Sequence, residues 1–215
     1  MMPFTRQTAG SGRTDNSNVM EKTSVLILAA GLSNRMGQEK FSLEYCDGIT
    51  FLEHIVQKYH QFGCGKIVVV VNPRGSEIIK QSLFQFSGEV EIVVNTNPER
   101  GRFASVKTGL MSLNGEDFVF LQNIDNPDIS IDWLAALMDH IGNADYIYPV
   151  FRGKGGHPVL IRSKIVQCIM NEKADDTILK HFLNRFRKST IEINDAGVLT
   201  NINTATDYQS WRMKK

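Results

Sequence analysis

The stretch LILAAGLSNRMGQEKFSL, residues Leu26–Leu43, joins an apolar run, a bend of small residues and two nearby cations. The run TSVLILAA, Thr23–Ala30, is typical of a strand that is buried on both faces. Small residues around Gly31 would let backbone N–H groups approach an anion closely. Arg35 can bind phosphate oxygens in a bidentate manner, and Lys40 can act as a mobile positive charge. The stretch predicts a phosphate-binding loop; the alternative is an ordinary strand-to-helix turn with surface cations.

Two well-known phosphate-binding motifs do not fit this loop. A dinucleotide-binding G-x-G-x-x-G motif would need glycines where Ser33 and Met36 stand. A Walker loop would need lysine after Gly37, where the chain has Gln38. An NAD(P)-dependent oxidoreductase would also need an acidic residue at the end of the second strand, where Asn72 stands before a proline. These departures disfavour an oxidoreductase.

The composition is ordinary for a globular protein. Of 215 residues, 42% are hydrophobic and 22% are charged, and the formal net charge is +1. Such a balance gives no overall field that would attract nucleic acid or an anionic membrane. No segment approaches the roughly 18 apolar residues of a membrane span, and Cys46, Cys64 and Cys168 are too scattered for a disulfide framework or zinc site. We expect a cytoplasmic protein with neither nucleic acid nor a membrane as partner.

Residues 1–22 are polar, lack the apolar centre of a secretory signal and are expected to form a disordered extension before a single domain, 23–215. Strands are predicted at Thr23–Ala30, Lys66–Asn72, Val90–Asn95, Asp117–Gln122, Asp145–Phe151 and Ser189–Asn194. Helices are predicted at Thr50–Gly63, Ser76–Phe86, Ala104–Leu113, Ser130–Ile141, Asp176–Phe186 and from about Thr204. The stretch 157–170 is less regular. The alternation predicts βαβ units and a mostly parallel sheet with helices on both faces.

LAAGLSNRMGQEK, residues 28–40, resembles the LAAGxSxRMGxxK signature of the MobA-like NTP transferases, especially the molybdenum-cofactor cytidylyl- and guanylyltransferases. The resemblance implies a Rossmann-like three-layer α/β/α fold of the nucleotide-diphospho-sugar transferase type. It implies that Arg35 and Lys40 hold the triphosphate and stabilise charge on the α-phosphate. It also implies that the backbone of five residues cradles the nucleotide phosphates: Ala29, Ala30, Gly31, Leu32 and Ser33.

NPERGRFASVKTGL, residues 97–110, resembles the family's second nucleotide loop. The resemblance implies that Asn97, Gly101 and Ser105 contact the nucleotide, and Gly109 also matches. Judged from the sequence alone, Ser105 could instead cap its helix.

FVFLQNIDNPD, residues 118–128, resembles the family's strand that ends in Asp-x-Pro. The resemblance implies that Asp125 is a Mg²⁺ ligand, since magnesium prefers a carboxylate together with substrate phosphates. Without the resemblance, Asp125 could be a turn residue before proline. Asp128 is the competing aspartate, and we expect it to cap the following turn.

RGKGGHPVLI, residues 152–161, resembles the family's GHP segment. The resemblance implies that its glycines, Gly156 among them, let the backbone approach the acceptor, and that Arg152 or Lys154 meets the acceptor's phosphate. His157 has a structural and a functional interpretation of equal weight.

NINTATDY, residues 201–208, resembles the family's closing motif, in which proline usually stands where this chain has Ala205. The resemblance implies that Asn203 is a second Mg²⁺ contact through its amide oxygen. A simple helix cap at Thr204 is the alternative.

The resemblance implies Mg²⁺-dependent transfer of NMP from an NTP to a small phosphorylated acceptor, with release of pyrophosphate. Ala30 favours CTP, because guanylyl relatives more often carry glycine there, and molybdopterin is the first choice of acceptor. The alternatives are a sugar 1-phosphate or another phosphorylated alcohol as acceptor. A non-catalytic regulatory module that binds nucleotide is the alternative of another class.

Overall fold

The computed structural model describes residues 22–33, 35–82, 84–86, 88–113, 115–174 and 177–215. The expected disordered extension therefore lies outside the described residues, apart from Lys22. The carbonyl of Lys22 accepts hydrogen bonds from the N–H groups of Asp117 (3.0 Å) and Phe118 (3.4 Å). A single domain over 23–215 stays a prediction. None of the helices in the described ranges is long and apolar enough to cross a membrane.

Ten strands and seven α-helices are found in the described ranges. The strands are β1 (Thr23–Ala29), β2 (Glu44–Cys46), β3 (Ile49–Thr50), β4 (Lys66–Val71), β5 (Val90–Val94), β6 (Phe118–Asn123), β7 (Tyr146–Phe151), β8 (Lys154–Gly155), β9 (Val159–Arg162) and β10 (Lys188–Glu192). The helices are α1 (Phe51–Phe62), α2 (Pro73–Gln81), α3 (Arg102–Leu110), α4 (Ile131–His140), α5 (Ser163–Asn171), α6 (Leu179–Leu183) and α7 (Ala205–Arg212). Short 3₁₀ turns lie at Lys40–Ser42, Pro98–Arg100 and Ala196–Leu199.

The main sheet has the strand order β10-β7-β9-β6-β1-β4-β5, and β8 pairs with β7 at one side. Strand β9 runs antiparallel to both of its neighbours, and the other pairs along this order are parallel. Strands β2 and β3 form a separate antiparallel pair. One apolar cluster joins the sheet to α1 and α4, and a second joins its other face to α3 and α5. The predicted three-layer α/β/α fold is confirmed.

Strand β1 explains why the opening apolar run has no polar face. Val25 and Ile27 belong to the cluster on the α1 side, whereas Leu26 and Leu28 belong to the cluster on the α3 side. Because β1 lies between two parallel neighbours, both of its faces are buried. Each fully buried leucine or isoleucine contributes roughly 1.5–3 kcal/mol, so this strand anchors the loop that follows it.

The boundaries of α1 follow from its two terminal residues. The Thr50 hydroxyl accepts a hydrogen bond from the Glu53 N–H (3.2 Å), and the Glu53 carboxylate accepts one from the Thr50 N–H (2.9 Å). This reciprocal capping box contributes about 1 kcal/mol. Gly63 ends the helix in the left-handed region, with φ 93°. The predicted helix Thr50–Gly63 is therefore correct.

Two predicted helices have different bounds in the structure. The helix predicted at Ser76–Phe86 is α2, which starts earlier because Asn72 accepts a hydrogen bond from the Gly75 N–H (2.7 Å) and Pro73 fits the first turn. Beyond α2 the rings of Phe84 and Phe86 stack at 5.7 Å and pack against the core. Of the helix predicted at Asp176–Phe186, only α6 is formed among the described residues.

The less regular stretch 157–170 contains β9 and most of α5. The sheet is mostly parallel, as predicted, but the antiparallel strand β9 between β6 and β7 was not among the predicted strands. The other predicted elements agree with the structure to within three residues at each end.

Candidate active site

A cleft of about 390 Å³ opens at the carboxyl ends of β1 and β6. In open parallel sheets this edge is where ligands bind. The lining residues are Leu28, Ala30, Gly31, Leu32, Ser33, Arg35, Lys40, Pro98, Gly101, Arg102, Ser105, Asn123, Ile124, Asp125 and Asn203. The cleft thus brings together most of the residues that the sequence assigned to nucleotide and metal.

The loop after β1 curls around Ser33. Ser33 has a left-handed backbone, with φ 50°, and its carbonyl accepts hydrogen bonds from the N–H groups of Met36 (2.9 Å) and Gly37 (3.3 Å). Met36 is buried in the core and anchors this turn, whereas Arg35 is exposed and lines the cleft. The buried Met36 side chain therefore holds the turn in place, and the turn presents the Arg35 guanidinium to the cleft.

Lys40 connects two distant parts of the cleft. Its Nζ lies 2.7 Å from Oδ1 of Asn203 and 3.4 Å from Oδ2 of Asp125. The N–H of Ile202 donates to the carbonyl of Asp125 (2.8 Å), which fixes the closing segment beside β6. Thr204 does cap α7, through a capping box with Asp207. The alternative of a helix cap is therefore correct for Thr204, whereas Asn203 as a Mg²⁺ contact stays a prediction.

The oxygen atoms around Asp125 suit a hard divalent cation. Oδ1 of Asp125 is buried and has no hydrogen-bond partner among the described residues. Together with the Asn203 amide oxygen it offers the carboxylate and carbonyl-type ligands that Mg²⁺ accepts. Within the described ranges no three His, Cys, Asp or Glu side chains group into a metal site. A metal here would draw its remaining ligands from phosphates and water.

Asp128 does not cap the following turn as expected, since Ser130 caps α4. Its carboxylate accepts hydrogen bonds from the Thr200 hydroxyl (2.7 Å) and the Trp211 indole N–H (3.0 Å), and it pairs with Lys215 at 2.7 Å. Burial raises the pKa of Asp128, but the bonds from Lys215, Thr200 and Trp211 outweigh burial, and the pKa lies below its usual value. Asp128 thus holds the C-terminal helix, and Asp125 alone of the two faces the cleft.

The second loop brings the start of α3 to the cleft. Gly101, with φ 87°, precedes α3, and no side chain caps that helix. Ser105 does not cap it either, because its hydroxyl accepts a hydrogen bond from Nδ2 of Asn95 (2.9 Å). The first backbone N–H groups of α3, which no side chain caps, are suited to binding an anion.

Two residues assigned to the nucleotide do not line the cleft. Ala29 is buried in the core cluster on the α1 side, and Asn97 is exposed beside the 3₁₀ turn. The neighbours Ala30 and Pro98 line the cleft instead. Alternation of side chains along β1 explains the first difference, since successive residues point to opposite faces.

A second pocket of about 780 Å³ adjoins the cleft and shares Leu28, Gly101, Arg102 and Asn123 with it. Its other lining residues are Arg100, Phe103, Leu121, Tyr146, Tyr148, Gly155, Gly156, His157, Val159, Thr177, Ile178, Leu179, Lys180, Leu183, Asn184 and Lys188. None of these described lining residues is acidic, whereas Arg100, Arg102, Lys180 and Lys188 are cationic. The pocket therefore combines aromatic and aliphatic walls with positive charge.

Of the four residues assigned to the acceptor, Gly156 and His157 line this pocket and Arg152 and Lys154 do not. Arg152 has a left-handed backbone, with φ 49°, and its guanidinium lies 5.0 Å from the centre of the Phe151 ring. Lys154 is exposed on β8. Arg152 lies in the tight turn between β7 and β8, and Lys154 is the first residue of β8.

His157 is held by its surroundings as a neutral ring. Burial, together with the nearby charge of Arg102, lowers the pKa of His157 to about 4. Its ring nitrogens lie 3.2 Å from Nδ2 of Asn123. The backbone N–H of His157 donates a hydrogen bond to the carbonyl of Val198 (2.9 Å). A Cβ on Gly156 would lie 2.3 Å from that same carbonyl oxygen, so only glycine allows this approach.

Several lining residues were missed from the sequence. Arg102 and Asn123 lie inside the quoted motifs, so their proximity to the site could have been inferred. Tyr148, Lys180 and Lys188 carry no local signal. Tyr148 and Lys188 lie on the paired strands β7 and β10, and Lys180 lies on α6.

The sequence pattern of the MobA-like NTP transferase domain matches residues 25–191. The chain belongs to this family. The resemblance seen in the sequence is thereby confirmed, and the family makes this a MobA-like nucleotidyltransferase.

Curated relatives agree on that class and differ in the nucleotide that they name. The chain is 29% identical over 191 residues to the molybdenum cofactor cytidylyltransferase of Escherichia coli, covering 88% of this chain and 95% of the relative. It is also 29% identical over 193 residues to a probable molybdenum cofactor guanylyltransferase of Bacillus velezensis, covering 85% and 91%.

A solved structure of Rv0371c from Mycobacterium tuberculosis, in complex with manganese, shares the fold. It superposes with a TM-score of 0.68 at 17% identity and covers 87% of this chain and 96% of that chain. At this identity the likeness concerns the fold alone.

Proposed function

We propose that this protein transfers NMP from an NTP to a phosphorylated acceptor, releases pyrophosphate and uses Mg²⁺, with CTP and molybdopterin as the preferred pair. The main observation behind this proposal is that the two pockets share four lining residues: Leu28, Gly101, Arg102 and Asn123. A nucleotide in the cleft and an acceptor in the second pocket would meet there. Such a meeting point is what direct transfer between two bound substrates requires.

The nucleotide side of the proposal rests on Arg35 and Lys40. The guanidinium of Arg35 would bind the β- and γ-phosphates, and the ammonium of Lys40 would neutralise charge that develops on the α-phosphate. The backbone from Ala30 to Ser33 and the first turn of α3 would supply N–H donors. The chain's contribution is thus positioning and charge neutralisation.

Asp125 and Asn203 would hold the metal, which supplies Lewis-acid activation of the phosphate when bound. The unpartnered Oδ1 of Asp125 supports this assignment. The manganese complex of the Mycobacterium tuberculosis protein supports a divalent cation in this fold. Because Asn203 is uncharged, we expect the phosphates of the nucleotide to provide much of the metal's affinity.

The second pocket favours an acceptor that has a flat ring system and a phosphate. Tyr146 and Tyr148 stack with ring centres 6.1 Å apart, and Leu121 and Val159 add apolar surface. Such walls suit a pterin better than a hydroxyl-rich sugar, which would need more hydrogen-bonding side chains. The cations at the rim would bind the phosphate. Ala30 and the Escherichia coli relative favour CTP over GTP.

Because His157 is neutral, we do not assign it a role in charge neutralisation. With a pKa near 4 it carries no charge at pH 7 and would not neutralise a phosphate. A general base is unnecessary, since the attacking phosphate oxygen is already anionic. His157 would instead hold Asn123 at the junction of the two pockets through the 3.2 Å contact.

The test is pyrophosphate release with Mg²⁺, measured for CTP, GTP, UTP and ATP against molybdopterin and against a panel of sugar 1-phosphates. We expect release to depend on both substrates and to be highest with CTP and molybdopterin. Release with a sugar 1-phosphate would keep the transferase and replace the acceptor. Nucleotide binding without release for any pair would instead favour the non-catalytic module, for which the uncharged Asn203 is the favouring observation.

A further inference from the structure

The buried carboxylate of Glu39 lies behind the phosphate-binding loop. Glu39 is 2% exposed and does not line the cleft, although Ser33 and its neighbour Lys40 do. Its Oε2 accepts a hydrogen bond from the Ser33 hydroxyl (3.2 Å), and its Oε1 lies 3.5 Å from Nδ2 of Asn72. Burial of a carboxylate destabilises the fold unless the group is hydrogen-bonded. These contacts therefore indicate that Glu39 has a structural or functional role at the loop.

This carboxylate closes the loop on itself. Ser33 stands near the beginning of the loop and Glu39 at its end, so a single side chain joins the two. Asn72, which caps α2, also donates to the carbonyl of Gly31 (3.2 Å) and thereby ties the loop to the neighbouring strand β4. The Glu39 carbonyl accepts a hydrogen bond from the Ser42 hydroxyl (2.8 Å), which fixes the turn that carries Lys40.

The conformation of Ser33 explains why such a closure is needed. A φ of 50° is unfavourable for a residue with a Cβ and persists only where the surroundings enforce it. The bond to Glu39 is the side-chain contact that connects Ser33 to the far end of the loop. Loss of that bond would free Ser33 to return to an extended backbone, and the N–H groups around Gly31 would turn with it.

We propose that Glu39 is a positioning residue that pre-forms the triphosphate site by acting through Ser33 and Asn72. This inference rests on the proposed function, since it concerns the same cleft. The ligand class is a triphosphate, and the effect of Glu39 is on its affinity and on the placement of Lys40. Oε1 of Glu39 lies beside the side chain of Asn72, the residue that caps α2, and Glu39 itself does not line the cleft.

The test measures binding of inorganic triphosphate and of CTP by titration calorimetry, together with the melting temperature. We expect Glu39→Ala to weaken binding of both probes roughly tenfold, the usual scale for losing a hydrogen bond to a charged group. Glu39→Gln should recover most of the affinity, because its amide oxygen still accepts a bond from Ser33. Ser33→Ala should match Glu39→Ala, and the double variant should be no weaker than either single variant.

Asp145→Ala is the matched control. Asp145 is also a buried carboxylate, which accepts bonds from Lys164 (3.0 Å) and from the Arg187 N–H (2.9 Å), but it lines neither pocket. We expect this control to lower the melting temperature without changing affinity for triphosphate.

The outcomes separate this inference from the function on which it rests. Unchanged triphosphate affinity in both Glu39→Ala and Ser33→Ala would overturn the role of Glu39 and leave the proposed function standing. Equal weakening in the Asp145 control would also overturn it, since the effect would then be one of general stability. A wild-type protein that binds neither CTP nor triphosphate would overturn the proposed function and this inference with it.

Discussion

Nζ of Lys40 lies 2.7 Å from Oδ1 of Asn203, although 163 residues separate the two along the chain. The same ammonium is 3.4 Å from the carboxylate of Asp125. The loop after β1, the loop after β6 and the segment before α7 therefore converge on one nitrogen atom. This convergence makes Lys40 the first residue to test.

Lys40→Ala should lower turnover far more than it weakens nucleotide binding. If Lys40 neutralises charge that develops on the α-phosphate, we expect turnover to fall roughly 100-fold or more, with a much smaller change in the dissociation constant for CTP. Steady-state kinetics and equilibrium titration would measure the two effects. Lys80→Ala, which removes an exposed lysine paired with Glu77, is the control. Small and equal effects on both quantities would contradict the role of Lys40.

Asp125→Asn and Asp128→Asn should separate function from stability. Asp125→Asn removes charge from the proposed metal site, so we expect Mn²⁺ binding in the presence of CTP to be lost while the melting temperature changes little. Asp128→Asn weakens the ion pair with Lys215, so we expect a lower melting temperature with Mn²⁺ binding retained. Electron paramagnetic resonance and thermal melting would report the two. Retained Mn²⁺ binding in Asp125→Asn would place the metal elsewhere.

Gly31→Ala and Gly109→Ala should have opposite effects. A Cβ on Gly31 meets no atom within 4 Å, so this variant should keep its stability, but the methyl group would enter the cleft and weaken CTP binding. A Cβ on Gly109 would lie 2.2 Å from Cδ1 of Leu26 and 2.5 Å from Cγ2 of Val70. Such overpacking should cost roughly 1–3 kcal/mol. Unchanged CTP affinity in Gly31→Ala would argue against phosphates at this position.

The resistance of the fold to acid should depend on His54. Burial first, and then the charge of Lys58, lowers the pKa of His54 to about 4, whereas the unfolded chain has a value near 6.5. Because the unfolded state binds more protons between these values, stability is full above about pH 6.5 and is lost as the pH falls toward 4.

We expect a loss on the order of 2 kcal/mol from this group at pH 5, by chemical denaturation. His54→Phe preserves the stacking on Tyr45, whose ring centre is 3.6 Å away, and should show a smaller loss on acidification. An identical pH dependence in the two proteins would contradict burial of a neutral His54.

The sequence predicted the layers of the fold because burial on two faces leaves a simple pattern. The apolar runs of β1 and β4 lie between parallel neighbours, so neither strand alternates in polarity. Strand β9 was not assigned, since its antiparallel direction depends on pairing with β6 and β7 rather than on its own four residues. The predicted start of α2 was wrong because the Asn72 side chain caps the helix, which therefore begins at Pro73.

The site was predictable where one motif supplies neighbouring residues, as in the loop from Gly31 to Lys40. The acceptor assignments were less predictable, because Gly156 and His157 line the second pocket while Arg152 and Lys154, in the same motif, do not. Glu39 was overlooked for a similar reason. Its importance comes from contacts with Ser33 and Asn72, which no spacing within the motif reveals.

The most direct test of the central claim follows the α-phosphate itself. CTP labelled at the α-phosphorus would be incubated with molybdopterin and Mg²⁺, and the products would be separated. The account predicts that the label moves to the acceptor with one pyrophosphate released for each transfer, and that Asp125→Ala abolishes the movement. Label that stays on CTP, or appears only on free CMP, with every acceptor of the panel would contradict transfer between the two pockets.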